Sequence, residues 1–178
     1  MKKILRQMYM LVDNQGIPIF ISSVHERIHD KRMYEVSYKS PEGGDVADNA
    51  TIIISFAVGT EEPHLTFGIQ SGGDVEVEWL EGSTVTGGTP YIPRNLHRRG
   101  LDNSPVTVLI NPTVSVDGTT LHNSVIGGGT GGNAGGGSGG TRPEIERPLD
   151  ADTTYVLRLT NRAGGAKAIS AVIDFYIE

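Results

Sequence analysis

His25-Glu26-Arg27-Ile28-His29 has the spacing of H-E-x-x-H, in which two imidazoles one helical turn apart hold zinc beside a glutamate acting as general base. That chemistry needs a helix presenting both histidines on one face, and a third ligand. The surroundings argue against it. Ile19-Phe20-Ile21 precedes the motif, an alternating strand pattern follows it, and Arg32 and Glu35 break the metzincin extension. Glu42, the nearest downstream carboxylate that could serve as the third ligand, lies in Pro41-Glu42-Gly43-Gly44, a turn sequence. The expectation is a strand context with no metal-binding or catalytic residue.

Gly127, Gly129 and Gly132 match G-x-G-x-x-G, the phosphate-cradling turn of dinucleotide folds. In a tract this rich in glycine the match arises automatically, and no helix opens after it to offer a positive N-terminus. No cofactor is expected. Arg94, His97, Arg98 and Arg99 form the one concentrated basic cluster, and are the candidate contact with another subunit or another acidic partner. An acidic partner for them would be the Asp74-Glu76-Glu78 stripe of a neighbouring copy. His64 and His122 are isolated beside turn residues and read as surface or capping residues.

The elements that must carry these residues are strands. Period-two alternation recurs along the chain, whereas no long stretch keeps the 3.6-residue helical period. Tyr34–Tyr38 puts its large residues on one face, and Val75–Trp79 alternates an apolar stripe with an acidic one. Thr51–Val58 is almost continuously apolar and β-branched, as a strand in the middle of a sandwich would be. Further strands are expected at Leu65–Gln70, Val106–Ile110, Thr154–Thr160 and Ala168–Ile177, the last with Ile169, Ala171, Ile173, Phe175 and Ile177 inward. Gly72-Gly73, Asp117-Gly118 and Asn161–Gly165 punctuate them, which predicts sequential antiparallel hairpins. The fold class is all-β: an antiparallel two-sheet sandwich, with a jelly roll as the expected topology.

Two segments fall outside this pattern. Residues 1–22 read as an N-terminal arm, and residues 23–178 as a single sandwich domain. Within that domain Gly127–Gly140 reads as a flexible loop, because ordering so many glycines costs unusual backbone entropy. Its span as a coil would be about 20 Å.

A chain of 178 residues with 37% hydrophobic and 20% charged residues is sized for one globular core. A net charge of −6 disfavours a general nucleic-acid binder, which needs excess cations on its contact face. No apolar run approaches the ~20 residues of a membrane-spanning helix, so no membrane partner is expected. With no cysteines, neither a disulfide scaffold nor a thiolate zinc site is open to it. Arg6, Gln7 and Asp13 interrupt the apolar core of any export signal, and none is expected.

His25–Asp30 followed by Met33-Tyr34 resembles the opening of the tailed-bacteriophage head decoration proteins, also called cement or auxiliary capsid proteins. The resemblance continues through Glu62–Phe67, Leu80–Val85, Asn111–Val114, Asp117–Thr119, a Gly-rich segment and Thr154–Ala163, covering about residues 23–178. The motifs of this family are not catalytic, and its H-E-x-H-like start implies that His25–His29 is a β-edge element. The resemblance implies a β-sandwich that is not an enzyme, a homotrimer on the capsid exterior that bridges major capsid subunits, and a virion protein assembled in the host cytoplasm. A receptor- or carbohydrate-binding sandwich module of a phage fibre is the alternative. Such a module would display exposed aromatics, whereas Trp79, the single tryptophan, is expected to point inward.

Overall fold

The computed structural model describes residues 11–12, 18–19, 23–40, 45–99, 103–128, 137–140 and 146–177. The chain opens with a two-stranded ladder of β1 (Leu11–Val12) and β2 (Pro18–Ile19), a helix α1 (Ser23–His29) and the strand β3 (Met33–Lys39). There follow β4 (Thr51–Val58), β5 (His64–Ser71), β6 (Val75–Glu81), β7 (Thr84–Thr86), β8 (Thr89–Tyr91), β9 (Arg94–Asn95) and β10 (Val106–Ile110). The second half holds β11 (Thr113–Val116), β12 (Thr119–Ile126), β13 (Gly137–Gly140), β14 (Arg147–Pro148), β15 (Thr154–Asn161) and β16 (Ile169–Tyr176).

Two antiparallel sheets make the sandwich. One runs β12-β6-β15-β4-β10-β8; the other runs β13-β5-β16-β3-β9, with β14 also paired to β5. Every strand expected from alternation is present. The alternation also picks the inward face correctly: Val36, Ile54, Phe56, Leu65, Ile69, Val75, Val77, Leu157, Ile169, Ala171, Ile173 and Phe175 are all buried in one core. Trp79 is fully buried at 0% exposure and stacks on Tyr155 at 5.5 Å, with Phe56 and Phe67 each 5.7 Å away. Because Phe67 belongs to the opposite sheet, this aromatic cluster ties the two layers together.

The expected sequential hairpins do not form. β5 pairs with β16 and β6 with β15, so Gly72-Gly73 carries the chain from one sheet to the other, as does the turn after Asn161. Asp117-Gly118 joins β11, which pairs with β7, to β12, which pairs with β6. Turn chemistry marks where a chain reverses, and both a hairpin and a crossing between sheets reverse it. The end of the glycine tract differs from expectation too: Gly137–Gly140 forms a strand on the free side of β5. Residues 129–136 of that tract, most of the arm, and the turn holding Glu42 lie outside the described residues.

Candidate functional site

The residues with most chemistry converge on α1. The H-E-x-x-H motif lies on a helix, not on a β-edge, which corrects the strand context expected for it. The helix ends in a Schellman cap: Arg32 N–H donates to the Arg27 carbonyl at 3.1 Å and Lys31 N–H to the Ile28 carbonyl at 3.0 Å, with Lys31 at φ 61°. That left-handed position usually holds glycine, so the stop signal is invisible in the residue types.

Arg27 anchors the helix. Its guanidinium carbon lies 3.3 Å from the Tyr176 ring centroid and its Nη1 3.6 Å from Glu146 Oε1. Tyr176 donates to Glu146 Oε2 at 2.6 Å, and His64 stacks on Tyr176 with Nδ1 3.4 Å from the same carboxylate, an ion-pair distance rather than a hydrogen bond. The Tyr176 hydrogen bond, together with Arg27 and His64, holds the Glu146 carboxyl below the usual carboxylate range. His64, expected as an isolated surface residue, is instead part of this latch.

At 100° per residue, anchoring Arg27 on the sheet turns His25 and His29 away from it. Both are exposed, their ring centroids 4.4 Å apart. His97 approaches His29, their ring centroids 6.2 Å apart. Asn95 sets this approach: its Nδ2 donates to the Lys31 carbonyl at 2.7 Å and its Oδ1 accepts the His97 N–H at 2.9 Å. Leu96 N–H donates to the Met33 carbonyl at 3.0 Å, and β9 pairs with β3 through Tyr34–Asn95 and Glu35–Arg94. Two motifs separate in sequence thus form one surface of three imidazoles flanked by Arg94, Arg98 and Arg99, all three exposed. Family models and curated proteins were searched, and neither returns a match.

Glu76 and Glu78 of the acidic stripe are already engaged within the chain. Glu76 receives Arg162 at 2.8 and 2.9 Å, Glu78 receives Arg158 at 3.2 Å, and Asp74 accepts the Gly128 N–H at 2.7 Å. β15 places Arg158 directly opposite Glu78 and Arg162 just beyond its end on Glu76, so two of the three carboxylates are ion-paired within the chain, while Asp74 meets a backbone N–H.

A second surface escaped sequence reasoning. β12 is the outermost strand of its sheet, and Leu121 and Val125 on its outer face are 50% and 63% exposed. Thr119–Ile126 does alternate, but neither of its faces is wholly apolar, so periodicity offered no inward side. His122 lies on the inner face, where its Nε2 meets Ser124 Oγ at 2.9 Å. Among the described residues no helix is long and apolar enough to cross a membrane.

Proposed function

We propose that the chain is a head decoration protein of a tailed bacteriophage, which docks as a homotrimer on the outer face of the major capsid protein and bridges neighbouring subunits. The resemblance of residues 23–178 supplies the function. The structural observation that supports it best is β12, an eight-residue edge strand with two exposed aliphatic side chains. Natural sandwiches blunt such edges with charge, proline or a covering segment, because an unpaired strand edge recruits other chains. Here no charged residue interrupts Thr119–Ile126, and its ladder is broken only by one register shift between Thr120 and His122, which fits an edge covered by a partner. The alternation of the chain between sheets also fits a jelly-roll-like winding.

The fibre-module alternative is less well supported, since Trp79 is buried and offers no platform for a sugar ring. With Glu76 and Glu78 of the acidic stripe paired internally, Arg94, Arg98 and Arg99 are assigned to acidic groups on the capsid in place of a neighbouring copy. Mass photometry of the free protein tests the assembly. The wild type should be trimeric, and Leu121→Lys with Val125→Lys should yield folded protein of lower mass. A wild-type monomer, or a double variant assembled as before, would remove β12 from the account.

A further inference from the structure

We infer that the inner side of the β12 edge, between Arg147 of β14 and His122 and Ser124 of β12, binds a small carboxylate. This does not depend on the decoration reading. The two ladders direct these side chains to the space between the sheets. Arg147 pairs with Leu65 of β5, a core residue, so its guanidinium projects inward while Glu146 beside it is turned outward onto Tyr176. The guanidinium carbon lies 5.2 Å from the Phe67 ring centroid. In the opposite sheet, His122 lies directly across from Trp79 and Ser124 across from Val77, both fully buried. The Phe67 and Trp79 rings are 5.7 Å apart between centroids, so Arg147 and His122 approach one aromatic floor from opposite sheets.

The groups gathered there are donors that want an acceptor. Arg147 is half-buried, and no carboxylate pairs with it among the described residues. The buried indole N–H of Trp79 likewise has no hydrogen-bond partner. His122 Nε2 meets Ser124 Oγ at 2.9 Å, which leaves Nδ1 to donate. The carboxylates closest along these strands are taken: Glu146 by Tyr176 and Arg27, and Glu81 by the Tyr155 hydroxyl at 2.9 Å.

Burial pulls the Arg147 guanidinium below its usual range, and burial first, with Arg147 second, lowers the His122 imidazole. A desolvated cation without a counter-ion is unfavourable, and an anion beside it relieves both groups. One guanidinium and a neutral imidazole balance one negative charge, which selects a carboxylate over a phosphate dianion. The planar guanidinium fork also matches the two carboxylate oxygens. Because β12 is the outermost strand and His122 and Ser124 are only half-buried, the site opens to solvent along that edge.

Trp79 is the single tryptophan, so its indole N–H gives one unmistakable signal in a proton–nitrogen NMR spectrum of the labelled full chain. Sodium acetate, titrated at an ionic strength held constant with sodium chloride, should move that signal saturably, with the millimolar affinity of so small an anion. Arg147→Gln should weaken binding at least about tenfold. Arg147→Lys, which keeps the charge and loses the fork, should fall between that variant and the wild type, and reads the same effect should the glutamine variant fail to fold. Near-ultraviolet circular dichroism verifies the packing of Trp79 in each. Sodium phosphate should bind more weakly than acetate. No saturable shift in the wild type, an affinity unchanged in a folded Arg147 variant, or phosphate binding at least as tight as acetate would each overturn the site.

Discussion

Asp174 is placed on β16 opposite Glu35 of β3 and Thr66 of β5. Its Oδ1 is buried and has no hydrogen-bond partner among the described residues. Burial first, and the charge of Glu35 second, hold its carboxyl above the usual carboxylate range. A raised carboxyl pKa means that the unfolded chain ionises more readily, so this residue destabilises the fold increasingly as pH rises from about 3.9 through the folded-state value. Asp174→Asn should therefore be more stable than the wild type at pH 7, by roughly 1–4 °C in melting temperature once solvent screening is allowed for. The advantage should shrink towards zero below about pH 3, where both states hold the proton. Denaturant titrations at the two pH values measure it; a variant less stable at pH 7 would mean that the carboxylate has a partner after all.

At the scale of elements, Gly118 shows why turn residues were legible and their role was not. Its φ of 74° needs glycine, and a Cβ there would run into the Glu81 carbonyl oxygen and the backbone of Gly82 and Ser83. Gly118→Ala should cost about 2 kcal/mol or more, a fall of roughly 4–8 °C in melting temperature, since strain and collision add. A thermal melt within 1 °C of wild type, an approximate margin for a neutral change, would contradict that packing. Asp117-Gly118 announces a reversal, but only the tertiary pairing of β11 with β7 and of β12 with β6 says what reverses. Strands with one apolar face, such as Val75–Glu81 and Ile169–Tyr176, were readable because period two names the buried side. The seven-residue α1 was not, because it is too short for a 3.6 period to stand out and its cap uses Lys31 where a glycine would have signalled the stop. The basic cluster was legible as a cluster; that His97 meets His29 was not, because their approach depends on Asn95 and on β9 pairing with β3.

For the whole molecule, the sandwich carries two unlike surfaces: the arginine- and imidazole-bearing face around α1 and β9, and the aliphatic edge of β12. A capsid contact through Arg94, Arg98 and Arg99 is an exposed electrostatic one, so it should weaken as salt shortens the Debye length to about 3 Å at 1 M. Reversing all three to glutamate should reduce head binding at low salt and flatten its salt dependence, which sedimentation across a salt series reads directly. An unchanged salt profile would assign the contact to another surface. In a trimer, each further capsid contact becomes intramolecular at an effective concentration near the mM range, so modest single contacts give slow detachment. Cosedimentation of the purified chain with undecorated phage heads measures the claim on which the rest depends: the protein should pellet saturably with the heads and dissociate slowly on dilution, whereas a chain that stays in the supernatant and binds a glycan or a host-cell surface would contradict it.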